Sequence, residues 1–394
     1  MYSPDPNINN PLYSNRAPTI VIKPTAQTNV IKVALGIIAA LIALLLGLLV
    51  LLVIGIETGP VAFLIGLVTA TIPVPFYVVL VLWLDRYESE PFWMLATAFF
   101  WGALIATFFA FLFNTITGAI VGSLASNENA GNVFAAVFAA PLFEETGKAT
   151  ILFVFYFWKK DEFDGVVDGI VYAALVGLGF AMTENIQYYG KAVLNGGGGE
   201  LTLTFFVRGA LAPFSHPFFT SMTGIGLGLA RQSRNTAVKF ICPVIGLLMA
   251  MSMHSIWNGS AALFGGIGFL LAYICIMCPA FIVVLVVLGL ALRREGQIVR
   301  EFLMPDLQGG LLTREEYTQL GSILGRMGSS FNALSQRGVR AWQTRRRFNQ
   351  IASELAFHRS RVARGVCRSD QDVREIEYAY VYALKELIAQ IRAR

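Results

Sequence analysis

Polar residues run through Lys23, a nearly continuous apolar stretch follows to Leu292, and a mixed polar pattern continues to Arg394. Crossing a bilayer core takes about 20 apolar residues. The apolar part divides into eight runs of at least that length: 31–56, 60–84, 92–123, 132–158, 166–190, 202–230, 236–262 and 264–292. Runs 92–123, 202–230 and 264–292 are long for one crossing, so tilt, kinks or re-entrant pieces are expected there. The pattern predicts an all-α polytopic membrane helix bundle of about eight transmembrane helices. Residues 1–29 read as a disordered cytoplasmic leader, 30–292 as the transmembrane core and 293–394 as a small, basic, cytoplasmic helical C-terminal region. The first apolar run is too long for a signal-peptide core and reads as a retained helix.

Composition agrees with this division. The chain is 56% hydrophobic and 14% charged, where soluble domains average about 25% charged residues, so a large soluble core is not expected. The net charge of +5 is uneven, since residues 293–394 hold 18 Lys/Arg against 11 Asp/Glu and the rest holds 12 against 14. The basic tail reads as lying against anionic lipid or in solvent, and no nucleic-acid partner is expected. Within it, "LLTREEYTQL" places Thr313 three residues before Glu316, a capping-box spacing, and 339–365 and 371–392 have helical potential. Cys242, Cys275, Cys278 and Cys367 show no disulfide-framework pattern and read as packing residues. Lysine and arginine placement predicts a multi-pass cell-membrane protein with both termini cytoplasmic, because only Lys191 then falls in an outer loop. Those outer loops are Glu57–Pro60, Ser123–Gly131, Gly196–Gly199 and Gly265–Gly266.

Charges inside the apolar runs change the picture most. Each costs roughly 2.5–3.5 kcal/mol on insertion scales, so a set of them needs a use. The set comprises Glu144, Glu145 and Lys148 on the fourth run, Asp168 and Glu184 on the fifth, Arg208 and His216 on the sixth, and His254 with Asn258 on the seventh. Glu144 and Lys148 share a helix face while Glu145 is turned by about 100°, so one carboxylate is expected to be paired and the other free. Asp168 falls on another face from Glu184 and reads as a cap or a partner of Lys159 or Lys160. His216 lies between Pro213 and Pro217, where a kink would re-aim its ring. Such a cluster can activate water in two ways, which the spacing does not separate. A glutamate or histidine takes the proton while Lys148, Arg208 or Asn258 stabilises the oxyanion, or Glu and His residues hold a divalent metal. HExxH, the usual zinc helix, is absent.

In order along the chain, "EETGK" (144–148), "GFAMTENIQYY" (179–189), "RGALAPFSHPFFT" (208–220) and "MHSIWN" (253–258), with "DRYESEPFW" (85–93) before them, resemble the PrsW family of intramembrane proteases, relatives of the CAAX prenyl-protease and bacteriocin-processing membrane proteins. The resemblance implies peptide-bond hydrolysis in a membrane-anchored protein, including first-site cleavage of an anti-sigma factor in a bacterial stress response. Carried over by motif, Glu144 and Glu145 are the paired catalytic glutamates, and Glu184, His216 and His254 complete the site, supported by Lys148, Arg208 and Asn258. The family carries a metalloprotease label, for which Glu145, Glu184, His216 and His254 are the candidate ligands and zinc the candidate ion, while its relatives are compatible with a glutamate-activated water and no metal. The competing class is a proton- or cation-coupled transporter using the same Glu/His set, against which stand the lack of an internal repeat and the clustering on four consecutive runs. A scaffold that has lost its chemistry is a third class, opposed by the intact glutamates and histidines. "TGIGLGLA" (223–230) reads as close helix packing and not as a nucleotide loop.

Overall fold

A computed structural model describes residues 30–88, 90–365 and 370–393. The expected leader and Cys367 lie outside the described residues. Every regular element among them is helical. The described residues form two compact units, Ile31–Asp85 with Glu90–Gly289, and Arg86–Ser89 with Leu290–Arg394.

The first unit is an α-helical membrane bundle. It contains α1 (Val30–Thr71), α2 (Val74–Leu84), α3 (Phe92–Phe100), α4 (Thr107–Leu124), α5 (Glu128–Phe134), α6 (Ala140–Trp158), α7 (Val166–Phe205), α8 (Ser215–Gln232), α9 (Thr236–Ala272) and the start of α10 (Cys278–Gln308). Four helical segments are long and apolar enough to cross a membrane: Val33–Leu84, Phe92–Leu124, Val166–Gln232 and Thr236–Gln308. At 52, 67 and 73 residues, three of them far exceed one crossing. Each of these three contains a glycine at positive φ, Gly59 (73°), Gly197 (64°) or Gly265 (63°), a backbone state that breaks a helix and that side chains disfavour. All three glycines fall in stretches read from sequence as outer loops. Helix α6 is too charged to count among the four, because Glu144, Glu145 and Lys148 interrupt it.

Helix α7 is the axis of this unit. In its most apolar stretch, Val166–Gln232 is 94% buried, whereas the other three segments are 17–33% buried and present apolar side chains outward. Small residues let α8 approach α7 closely: a Cβ on Gly224 would lie 2.1 Å from the Gly169 carbonyl oxygen, and one on Gly177 would lie 2.5 Å from the Pro217 nitrogen. "TGIGLGLA" is therefore a packing seam. Cys242 and Cys278 are half-buried and Cys275 faces outward; all three are free thiols.

The second unit holds the remainder of α10, then α11 (Arg314–Leu320), α12 (Ile323–Ala363) and α13 (Asp370–Arg392), with α12 broken at Gly338 (φ 77°). Its core includes Val299, Leu303, Leu320, Phe348, Leu355 and Leu384, and Tyr87 of the short 86–88 segment is buried among them. Arg361 pairs with Glu88 at 2.7 Å. Arg359 is 2% exposed. Burial alone would lower its pKa, but the Asp306 and Glu377 carboxylates hold it above the usual arginine range. It donates to Glu377 at 2.7 Å and the Phe302 carbonyl at 2.8 Å, and pairs with Asp306. A charge this deep persists only when its donors are satisfied.

Thr313 and Glu316 form the capping box that their spacing predicts, with Glu316 N–H donating to the Thr313 hydroxyl at 3.2 Å and Thr313 N–H to the Glu316 carboxylate at 2.9 Å. Thr313→Ala is expected to cost about 1 kcal/mol of local stability. Amide hydrogen exchange across residues 314–320 of the full chain reads it, and unchanged exchange would show the cap to be dispensable.

Candidate active site

Four helices of the membrane unit bring the polar set together. On α6, Glu144, Glu145 and Lys148 are 4%, 0% and 0% exposed. Positions three and four residues before a lysine both reach its ammonium on a helix. Lys148 Nζ accordingly donates to Glu145 Oε1 at 2.8 Å and Glu144 Oε2 at 3.3 Å, and to His216 Nδ1 at 2.9 Å. It also lies 3.8 Å from the Phe180 ring centre. The expectation that one glutamate is paired and the other free is corrected here, since the ammonium serves both.

The two glutamates differ in what else they touch. Glu145 receives the His254 Nδ1 proton at 3.0 Å and the Thr220 hydroxyl at 3.1 Å, and is enclosed. Glu144 borders a cavity of about 950 Å³ that Glu184, Arg208, Asn258 and Tyr188 also line, with Phe180, Trp257 and Phe269 among its apolar walls. Asn114 Nδ2 donates to Glu144 Oε1 at 3.3 Å. Among the described residues the Asn114 amide oxygen, which is buried, has no hydrogen-bond partner.

His216 opens α8 just after a helical break, where its neighbouring prolines place it. The chain runs as a π-helix over Phe206–Leu211 and leaves helical geometry at Ala212. Two tyrosine hydroxyls satisfy carbonyls at this break: Tyr77 donates to Gly209, and Tyr273 to Leu211 at 3.0 Å. An ammonium can only donate, so His216 Nδ1 accepts from Lys148 and the ring proton resides on Nε2, which donates to Glu184 Oε2 at 2.9 Å. The same carboxylate pairs with Arg208, whose Nε donates to Asn185 Oδ1 at 2.6 Å and whose guanidinium stacks 3.7 Å from the Tyr188 ring centre. On α9, His254 stacks on Phe219, with ring centres 5.0 Å apart, and stands 5.3 Å from His216 edge to face. Asn258 donates to the Ala136 carbonyl at 2.8 Å and Ser255 to the Val137 carbonyl at 2.9 Å. Both residues therefore clamp the π-helical turn Ala135–Ala139 that leads into α6.

Asp168 stands apart from this cluster. Its carboxylate accepts the Asp164 and Gly165 amides at 2.9 and 2.7 Å, so it caps the start of α7. Three residues that sequence reasoning did not single out also matter, namely Asn114, Tyr77 and Tyr273. Asn114→Ala is expected to lower kcat about tenfold to a hundredfold, because a hydrogen bond to a charged group contributes roughly 1.5–3 kcal/mol. Steady-state kinetics on a single-span test substrate would check this, and an unchanged kcat would remove Asn114 from the site.

Glu144, His216 and His254 each offer one ligand atom, and these atoms lie within 4.8 Å of one another. Each imidazole has a carboxylate on one ring nitrogen, Glu145 for His254 and Glu184 for His216. Carboxylate-backed imidazoles of this kind orient metal ligands, and two histidines with one glutamate match a catalytic zinc set. The donor chemistry therefore fits a divalent metal that takes the place of the Lys148 ammonium on His216 Nδ1 and Glu144. The set that converges holds Glu144, while Glu145 and Glu184, expected from sequence among the ligands, stand behind the imidazoles.

A family model for PrsW family intramembrane metalloproteases matches residues 90–287, a stretch that contains every residue of this cluster. The chain belongs to the PrsW family. Relatives named Protease PrsW come from Oceanobacillus iheyensis (32% identical over 171 residues, 43% of this chain and 71% of that protein) and Bacillus subtilis (31% over 175 residues, 44% and 72%). A third, from Geobacillus kaustophilus, is 35% identical over 147 residues, 37% of this chain and 58% of that protein. No solved structure matches the chain. PrsW membership makes the chain an intramembrane protease and displaces the transporter reading. The family match ends before α11, α12 and α13 begin.

Proposed function

We propose that the chain hydrolyses a peptide bond of a membrane-anchored protein within the 950 Å³ cavity, with Glu144 taking the proton from the attacking water. One observation carries this reading: of the two adjacent glutamates, Glu144 borders the cavity while Glu145 is enclosed by Lys148, His254 and Thr220. Glu145 then acts as the orienting carboxylate of His254, and Glu184 plays the same part for His216. As water adds to the scissile carbonyl, Arg208 on the cavity wall faces the oxyanion that develops. Protonated Glu144 then returns its proton to the departing amine. A divalent metal held by Glu144, His216 and His254 would supply Lewis acidity at that water, with Glu144 then a ligand in place of the base.

Several finer statements belong to the same reading. Dividing the four long segments at Gly59, Gly197 and Gly265 yields seven apolar stretches, and the charged helix α6 is the eighth, which supports eight crossings. The lysine and arginine distribution supports cytoplasmic termini, and the positions of Glu144, Glu184, His216 and His254 along their runs, at about 1.5 Å per residue, support a catalytic cluster in the outer half to the middle of the membrane and a cut near the outer face. An anti-sigma factor cut at its first site is one substrate of this class.

The test joins two measurements on detergent-purified protein: metal content by mass spectrometry, and cleavage of single-span test substrates before and after chelation. Chelator-sensitive cleavage with near-stoichiometric zinc that disappears in Glu144→Gln assigns Glu144 to the ligand set. Chelator-resistant cleavage assigns it to proton transfer alone. A folded protein that cuts no single-span substrate would overturn the reading.

A further inference from the structure

The second unit contains a polar cavity of about 170 Å³, distinct from the catalytic one. It lies between α11, both halves of the broken helix α12, and the end of α13. Arg345, Arg337, Asn332, Gln336, Thr344 and Gln390 line it. A cavity of about 150 Å³ holds a six-membered ring, so this one admits a small metabolite or a headgroup fragment.

Arg345 is what makes the cavity more than a wet crevice. It is 8% exposed. Among the described residues its hydrogen-bond partner is the Gln319 amide oxygen at 2.5 Å, and its buried Nε has none. The guanidinium lies 4.8 Å from the Phe348 ring centre, which offers weak compensation. Glu316 and Glu315 are near enough to act on it electrostatically, yet both are engaged elsewhere. Glu316 accepts from Thr313 and from Arg392 at 3.2 Å, and Glu315 accepts from the Gln319 side chain at 2.9 Å. Arg359, in the same unit, shows the contrast, because two carboxylates and a carbonyl satisfy it. Burying a guanidinium without a paired anion is costly. Apart from the arginines, the polar lining of the cavity is neutral amides and hydroxyls and one carboxylate, Glu315, which the Gln319 side chain engages at 2.9 Å.

We infer that this cavity is a binding site for an oxyanion, a phosphate or carboxylate group that pairs with Arg345 and is steadied by Arg337 at the rim. Guanidinium and oxyanion match in a two-pronged hydrogen-bond geometry that one amide oxygen cannot supply. The same chemistry occurs on a free anion and on an anionic lipid headgroup. The site is independent of the proteolytic reading, since it uses none of the catalytic residues.

The test is amide hydrogen exchange by mass spectrometry on the full chain in phosphatidylcholine nanodiscs, with inorganic phosphate or citrate added at constant ionic strength. A parallel sample uses phosphatidylglycerol nanodiscs without added anion. Saturable protection of peptides from α11 and from residues 329–345 is expected, reaching about tenfold slower exchange at ten times Kd. Arg345→Gln should abolish it. Arg337→Gln, which gives up the 3.2 Å hydrogen bond to the Ile391 carbonyl, should weaken the protection severalfold relative to its own anion-free baseline, which keeps the test meaningful if the Arg345 variant folds poorly. Protection by phosphate or citrate identifies a soluble ligand, and protection by phosphatidylglycerol alone identifies a lipid headgroup. No protection in any sample, or equal protection in Arg345→Gln, would overturn the site.

Discussion

Glu144→Gln is expected to lower the cleavage rate by a factor of roughly 10²–10⁴, the usual contribution of a positioned general base, while leaving the thermal unfolding curve in place. The amide keeps the shape of the carboxylate and an oxygen to accept from Asn114 or Lys148, which hold Glu144 at 3.3 Å each. It removes the capacity to take a proton. Lys148 retains Glu145 as a charged partner at 2.8 Å, so no buried ammonium is stranded. The measurement is single-turnover cleavage beside a melt of the same preparation. Cleavage near the wild-type rate would transfer the base to another residue, and a collapsed melt would make Glu144 chiefly structural.

Removing Glu145 should behave differently. Glu145→Ala is expected to destabilise the membrane unit by about 3–5 kcal/mol, the penalty for breaking a buried pair by deleting one partner. At 0% exposed, Glu145 holds Lys148, His254 and Thr220 at once. Its loss leaves the Lys148 ammonium on the more distant Glu144 carboxylate and frees the His254 ring. Activity should fall with stability, through misplacement of His254 and not through loss of a base. Glu145→Gln, which preserves an acceptor oxygen, should recover part of the stability. Wild-type melts for both variants would show that the Glu145 charge does not hold the unit together, and equally lowered melts would show that the acceptor oxygen adds nothing without the charge.

Much of this arrangement is legible in the sequence, where the signals are local. Glycine punctuation at 59, 197 and 265 marks the breaks because glycine is where positive φ costs least. The capping box at Thr313 is legible for the same reason, since its partners are three residues apart. What depends on distant segments is not legible. Asn114 is a lone neutral residue in a long apolar run, and nothing near it in sequence announces that it faces Glu144. Tyr77 and Tyr273 read as ordinary membrane aromatics, although they satisfy carbonyls exposed by a break more than 60 residues from Tyr273 and more than 130 from Tyr77. The division of labour between Glu144 and Glu145 was hidden too, because helix geometry gives their faces but not which face meets a cavity. In the tail, Arg345 and Arg359 look like any solvated arginine, and their burial follows from packing between α10, α11, α12 and α13.

The 86–88 segment has a consequence for biogenesis. Tyr87 leaves the ribosome early, yet the core that buries it is built from Val299, Leu303, Phe348, Leu384 and their neighbours, made more than two hundred residues later. Until then the tyrosine has no cover. A nascent or truncated chain ending before α11 displays an uncovered aromatic loop, while a finished one conceals it. Tyr87 thereby makes burial of an early loop depend on the late helices α10, α12 and α13.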